Sequence, residues 1–440
     1  MKRKPYPKYK PSGVEWLGDV PENWQVKRLK TSALCWVSNV DKVPSEDELP
    51  VRLCNYTDVY YHDHILPDMG LMETTATADE IRRFGLQKGD VLITKDSEEW
   101  SDIAVPALVI EAAPDLVCGY HLAIIRAQPE ALLGDYLLRA FQSCAINQQF
   151  QVAASGVTRY GLPKSSIGDA WLPIPPPSEQ RAIAAFLDRE TGRIDTLIAK
   201  KRELVERLKE KRTALISHTV THGLPPEAAA KAGLPVNPPF KPSGIEWLGD
   251  IPKHWDVMAL KWRSRCRSGD AIATDDVNPE LTPERGVPVI GGNGVMGYCD
   301  SSNCEHPVLV IGRVGALCGN VHFIKPPAWI TDNALVMCTD AATFSQKYLA
   351  AVLRTRNLNE LADKTAQPLI TGTRIRNERI PVPALPEQAA IAAYLAAETT
   401  KLDTLATKIE EAVERLREFR AALITAAVTG KIDVRNEVAS

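Results

Sequence analysis

Asn237-Pro238-Pro239-Phe240 has the Asn-Pro-Pro-aromatic form that can hold an adenine amino group between side-chain and backbone acceptors while a methyl group is transferred to it. The match is four residues long. It falls in a stretch rich in Pro, Ala and Gly, with no strand, glycine loop and helix beside it to hold a methyl donor. N6-adenine methyl transfer by this chain therefore stands as an alternative reading carried by those four residues alone. Gly292-Asn293-Gly294-Val295-Met296-Gly297 fits the spacing of a dinucleotide fingerprint and follows a strand-like run, Val287-Pro288-Val289-Ile290. Poor helix material comes next, from Tyr298 to Asn303, so no helix N-terminus is available to receive phosphate and a glycine-rich turn is the better reading. Cys299, Cys304, Cys318 and His306 lack the paired C-x-x-C spacing of a zinc site, and His62-Asp63-His64 reads as a polar loop. No G-x-x-x-x-G-K-[ST] loop for ATP occurs. No catalytic residue and no metal ligand is assigned.

A chain of 440 residues exceeds the size at which one hydrophobic core keeps growing, so two or more domains are expected. Hydrophobic residues make up 45% and charged residues 24%, an ordinary globular balance. The basic start, MKRKPYPKYKPSG, has no apolar stretch behind it, and no run approaches the roughly 18 apolar residues of a membrane span, which points to a cytoplasmic protein without membrane contact. Nine cysteines scattered from Cys35 to Cys338 without framework spacing fit a reducing compartment. The net charge of −3 provides no global basic field, so any contact with nucleic acid must come from local patches.

The chain is written twice. Residues 9–24 read YKPSGVEWLGDVPENW and residues 240–255 read FKPSGIEWLGDIPKHW; the block beginning PIPPPSEQRAIAAFLD at Pro173 matches PVPALPEQAAIAAYL at Pro381. About half the positions of the longer block are identical. Between these constant parts lie two unlike segments, Gln25 to Leu172 and Asp256 to Ile380. A duplicated frame with diverged inserts suggests a symmetric scaffold presenting two different reading heads.

The longer repeated block reads as a helix. Leu402, Leu405, Ile409, Ala412, Leu416, Phe419 and Leu423 recur at alternating spacings of three and four, the seam of a coiled coil. The matching central positions are Ile194, Leu197, Lys201, Leu204, Leu208, Lys211 and Leu215, whose two lysines could lay their stems along the seam. Ser178 offers an N-cap and Pro386 a first-turn proline, each followed by Glu-Gln, and Gly223 and Gly430 lie near the ends. Each helix would run about 40 residues, or ~60 Å. Two such stripes are best buried against each other, antiparallel if a two-fold relates the repeats. A coiled-coil scaffold with no role in nucleic-acid binding stays open as a second alternative. HGLPPEAAAKAGLPVNPP, residues 222–239, reads as a surface linker. Runs at 89–95, 105–111, 120–127, 287–292 and 307–313 look like strands, and 134–150 and 345–363 like helices.

SGVEWLGDVPENW and SGIEWLGDIPKHW, with PPPSEQRAIAAFLD and PALPEQAAIAAYL at the helix starts, resemble the conserved regions of type I restriction-modification specificity subunits. The resemblance covers essentially the full chain. It implies an α+β fold: two mixed α/β target-recognition domains separated by a long antiparallel two-helix coiled coil, with an internal pseudo-two-fold repeat. The corresponding boundaries are 1–176 for the first recognition domain, 177–222 for the central spacer helix, 223–384 for linker and second recognition domain, 385–432 for the C-terminal helix and 433–440 for a tail. It further implies double-stranded DNA as ligand, one half of a bipartite asymmetric site for each domain, two methyltransferase subunits and two ATP-driven translocase/nuclease subunits as partners. S-adenosylmethionine, ATP and Mg2+ would then belong to those partners, with no cofactor in this chain.

On that reading, SGVTRYGLPKSS (155–166) and ITGTRIRNER (370–379) share glycine, hydroxyl and arginine residues suited to close approach to phosphate and to guanine edges. The DNA-contacting candidates are Thr158, Arg159, Tyr160 and Lys164 in the first domain and Thr373, Arg374 and Arg376 in the second, with Lys95, Asp96, Ser97, Asn293 and Arg313 beside strand-like runs. A solvated basic turn is the competing explanation for each. The repeated Glu179-Gln180 and Glu387-Gln388 pairs are candidates for docking the methyltransferases, although first-turn dipole matching alone accounts for the acids.

Overall fold

The computed structural model describes residues 4–363, 367–435 and 437, so the tail proposed at 433–440 lies partly outside the described residues. The chain divides into two compact units, residues 1–202 with 411–440, and residues 203–410. It passes from one unit to the other inside two long helices, Pro177–His222 and Leu385–Val428.

In the first unit, strand Val91–Thr94 is buried at all four residues, which is why it is apolar throughout instead of alternating. It pairs antiparallel with Pro106–Val109 on one side and Leu122–Ala127 on the other, and the latter pairs with the edge strand Ala33–Val37. A second, three-stranded sheet holds Leu116–Cys118 parallel to Leu49–Cys54, with Met72–Ala76 antiparallel beyond. The second unit repeats this order by itself. Val308–Gly312 is its central buried strand, Ala334–Thr339 its neighbour and Ser264–Ser268 the edge, while Trp329–Ile330, Val287–Gly291 and Gly294–Cys299 form the three-stranded sheet.

Each variable segment starts and ends on one ladder. Gln25–Arg28 pairs with Trp171–Ile174, and Asp256–Ala259 with Arg379–Val382. The glycine run 291–294 is the turn of an antiparallel hairpin with no helix behind it. The helical stretch proposed at 134–150 is two helices, Gly134–Phe141 and Cys144–Ala153, and that at 345–363 is Gln346–Thr355 followed by a 3-10 turn, Leu358–Leu361. The linker contains a short helix, Pro226–Lys231. Ser178 lies within the first turn of the central helix and is not its cap, because the helix begins at Pro177.

Within the second unit the long helices run antiparallel: Val205 and Leu208 bury against Ile409, with Leu402 and Ala406 packed beside them, and Arg212 pairs with Asp403 at 2.9 Å. Within the first unit Ile194 and Ile198 share a core with Val413, Leu423 and Ile424, and Arg420 lies 3.1 Å from Asp195. Ile194, Leu208, Ile409 and Leu423 are thus buried seam residues, and Leu215, Leu402 and Leu416 are half-buried. Leu197, Leu204, Leu405 and Phe419 are not in the seam: all four are exposed. The phase is set where the helix ends enter the domain cores. Leu187, Thr191, Ile194, Ile198, Val205, Leu208, Arg212, Leu215 and Thr219 form one unbroken series of three- and four-residue steps, allowing Lys201 in its place, and Leu395 to Ala427 form another. Leu204 and Leu405 point about 100° away from it.

Leu208 is 9% exposed and Leu204 44%. Leu208→Ala should therefore cost about 2–4 kcal/mol, and Leu204→Ala less than about 0.5 kcal/mol, measured as shifts in the urea unfolding midpoint of the full chain; equal losses would restore the leucine-based phase.

Candidate nucleic-acid interface

The first turn of each long helix carries a buried carboxylate. Glu179 accepts hydrogen bonds from the Trp24 indole (2.9 Å), the Tyr6 hydroxyl (3.2 Å) and the Asn23 amide. Glu387 accepts from the Trp255 indole (3.0 Å) and is 3.0 Å from His254 Nε2. The neighbouring glutamines are fully buried and bind backbone only: Gln180 accepts from Leu133 N–H and donates to the Ala131 and Pro175 carbonyls, while Gln388 accepts from Ser345 N–H and donates to Thr343 and Pro383. Glu179, Gln180, Glu387 and Gln388 are therefore not a docking surface. They face inward because each must satisfy an indole or a loop start that has no water to bind. The opposite helix end arrives at the same tryptophan. Gly430 (φ 73°) leaves a space in which a Cβ would lie 2.3 Å from Pro21, and Gly223 (φ 89°) ends the central helix beside Trp255.

In the first unit the fold brings two groups of DNA candidates together. Tyr160-Gly161 pairs antiparallel with Ser97-Asp96, and Lys95 donates its backbone N–H to the His121 carbonyl and accepts from Leu162 N–H. Asp96 lies 3.1 Å from Lys95 Nζ and 2.7 Å from His121 Nδ1. Burial alone would raise the Asp96 carboxyl, but the His121 and Lys95 hydrogen bonds outweigh it and hold the group below its ordinary range. His121 is placed for this contact by a left-handed backbone, φ 55°. Around the cluster stand residues that the sequence reading missed. Tyr56 stacks on Tyr60 at 5.5 Å, Tyr120 lies 3.8 Å from the His121 ring, and Tyr61 and Trp100 are exposed. Burial raises the Tyr56 hydroxyl, opposed by a hydrogen bond from Ser97 and by the Arg159 charge; the Asp102 hydrogen bond, then burial, push Tyr60 up to about 12. Thr158 and Arg159 are exposed, and Lys164 opens a short helix, Lys164–Asp169, on the surface.

Arg313 occupies in the second unit the place of Lys95 in the first. Its N–H donates to the Asn333 carbonyl and its own carbonyl accepts from Ile370 N–H, the same two bonds at the end of the same central strand. Its guanidinium donates to the Ser268 hydroxyl at 3.1 Å. Asn293, exposed on the hairpin turn, accepts from Asn320 at 3.1 Å. The Thr-Arg pairs are not equivalent: Thr158-Arg159 precede a strand, whereas Thr373-Arg374 lie in the helix Gly372–Asn377, where the first unit has Ser165-Ser166. Thr373 is exposed, Arg374 is tied to Asp363 at 2.6 Å, and Arg376 is half-buried with a bond to the Lys261 carbonyl. The last two arginines therefore already serve the fold. Among the described residues no group of three or more His, Cys, Asp or Glu could hold a metal, and no helix is long and apolar enough to cross a membrane.

Residues 252–415 match the family model of the type I restriction modification DNA specificity domain. The chain is 32% identical over 147 residues to the Type I restriction enzyme EcoprrI specificity subunit of Escherichia coli, a match covering 33% of this chain and 35% of that protein. It is 23% identical over 444 residues to the Putative type I restriction enzyme MjaX specificity subunit of Methanocaldococcus jannaschii, covering 95% and 96%. Two solved structures share the fold at 18% identity: a chain from a type I R-M system described for its complex assembly and conformational transition (TM-score 0.69, 94% and 99% covered), and the HsdS subunit from Thermoanaerobacter tengcongensis (TM-score 0.51, 94% and 98% covered).

Glu387→Ala should lower stability by about 1.5–3 kcal/mol by orphaning the Trp255 indole, whereas Glu410→Ala, on the exposed helix surface, should change it by less than about 0.5 kcal/mol; thermal unfolding of the two variants decides. Because the folded Asp96 carboxyl is depressed, its stabilisation is present above the unfolded value near 3.8 and is lost as pH falls through the lower folded value. The stability gap between the parent protein and Asp96→Asn should thus be full at pH 6 and close below about pH 4, followed by urea titration at each pH; a gap that grows in acid reverses the assignment.

Proposed function

We propose that the chain, whose residues 252–415 match the type I restriction modification DNA specificity domain and which aligns over 95% of its length with a putative specificity subunit, is the non-catalytic DNA-recognition subunit of a type I restriction-modification complex, reading a bipartite, asymmetric site with one half-site per unit. The observation that carries this reading is the shared frame with unshared loops. Both units end their central strand in a cation fixed by the same two backbone bonds, Lys95 and Arg313, yet surround it with different side chains: Asp96, His121 and stacked tyrosines in one, Asn293, Asn320 and Ser268 in the other. A cation held in one place can fix register on phosphate, while unlike neighbours offer different donor and acceptor patterns to base edges.

On this reading two methyltransferase subunits and two translocase/nuclease subunits assemble on the chain and bring S-adenosylmethionine, ATP and Mg2+ with them. The long helices set the gap between half-sites. Adenine methylation by this chain itself has little to support it, since Asn237 lies in an exposed linker position with φ 51°. Mapping N6-methyladenine across the genome with and without the chain should reveal a two-part motif that disappears on deletion. Removing seven residues from each long helix at matched positions, ~10.5 Å of rise, should shorten the motif's gap by about three base pairs and leave both half-sites unchanged. An unchanged gap in an active deletion variant contradicts the measuring role, and a motif that survives deletion contradicts the function.

A further inference from the structure

The two edge strands that flank the candidate sites are built alike but charged differently. Leu29 to Val37 reads LKTSALCWV and Leu260 to Ser268 reads LKWRSRCRS. Each begins with a 3-10 turn on a buried leucine, Leu29–Thr31 or Leu260–Trp262, and continues as the edge strand Ala33–Val37 or Ser264–Ser268. The pairing registers put Cys35 opposite Ile125 and Cys266 opposite Met337, so Arg265 and Arg267 stand where the first unit has Leu34 and Trp36. The second stretch thus carries Lys261, Arg263, Arg265 and Arg267 with no acid among them, in a chain whose net charge is −3.

Arg265 and Arg267, two residues apart, share one face about 6.6 Å from each other and are exposed. The Arg265 side chain has no ion pair or hydrogen bond among the described residues, and that of Arg267 is held only by a bond to the Ser268 carbonyl (3.2 Å) and a loose pair with Asp270 (3.8 Å). Trp262 is 70% exposed, with Lys261 Nζ 5.6 Å from its ring centre. At its far end the strip meets the candidate reader directly, since Ser268 accepts the Arg313 hydrogen bond. Protecting an open edge from pairing would call for charge alone; it does not call for an exposed tryptophan or for one sign throughout.

We infer that the strip from Lys261 to Arg267 grips the sugar-phosphate backbone next to the half-site read by the second unit, and that the first unit has no counterpart on its own edge strand. The inference rests on the DNA-binding reading and adds an asymmetry to it: the second unit holds the duplex electrostatically, and the first depends on contacts from its tyrosine-rich cluster.

The test is binding of the full chain to a random-sequence DNA duplex over a potassium chloride series, read as the slope of log affinity against log salt. Each phosphate contact contributes about 0.9 to that slope, so Arg265→Gln/Arg267→Gln should flatten it by about 1.8 with an unchanged melting temperature. Arg265→Lys/Arg267→Lys keeps the charges and should restore it. In cells the glutamine variant should methylate the same motif at a lower fraction of sites. An unaltered slope in a folded glutamine variant overturns the strip's role while leaving DNA recognition standing, as does an unaltered slope combined with loss of a co-purifying acidic subunit, which would make the strip a protein contact. A parent chain without salt-sensitive duplex binding overturns the DNA reading itself.

Discussion

A carboxylate can be buried at the start of a helix only while something satisfies it, and here that something is a tryptophan indole from the repeated N-terminal block. Leaving such a charge unpaired costs several kcal/mol, so Glu179 with Trp24 and Glu387 with Trp255 tie each long helix to the block that precedes its variable segment. The helix N-terminus adds favourable partial positive charge at the same spot. The adjacent glutamine extends the tie to the start of a helix of the insert, Gly134–Phe141 through Leu133 or Gln346–Thr355 through Ser345. Both margins of the variable segment are therefore fixed by residues outside it, and a two-stranded ladder closes its base.

This arrangement explains how the frame can stay the same while the inserts diverge. The stabilising contacts at the margins come from constant residues, so the loops above the central strand are free to differ. What the frame does impose on them is one backbone position, held by bonds that do not depend on its side chain and filled by a basic residue in both units, Lys95 or Arg313. Arg374 illustrates the opposite case: its guanidinium is already tied to Asp363, while Arg376 donates to the Lys261 carbonyl through one terminal nitrogen.

The duplication, the long helices and the mixed α/β inserts were legible because they are written in local periodicity and in self-similarity over tens of residues. The seam phase was not. Leu204 beside Val205, and Leu405 beside Ala406, offer two stripes of equal spacing, and only the burial of Leu187, Thr219, Leu395 and Ala427 at the helix ends chooses between them. The role of Glu-Gln was hidden for a different reason: its partners lie 155 and 132 residues away, although the tryptophan recurring in ENW and KHW alongside each recurring Glu-Gln was an available signal. The clustering of Lys95-Ser97 with Tyr160 depends on strand pairing across the insert, which no local pattern encodes. The arginines of KWRSRCR are legible as a two-residue alternation, but only the pairing of Ser264–Ser268 as an edge strand shows that Arg265 and Arg267 share an exposed face.

The most direct measurement replaces Lys95 or Arg313, one at a time, with a photo-crosslinking amino acid and maps each adduct on duplex carrying the two-part motif that the proposed function predicts. Adducts from position 95 confined to one half-site and from position 313 to the other are the predicted result. Adducts from both positions in the same half, or scattered with no relation to the motif, would contradict the assignment of one reader to each unit.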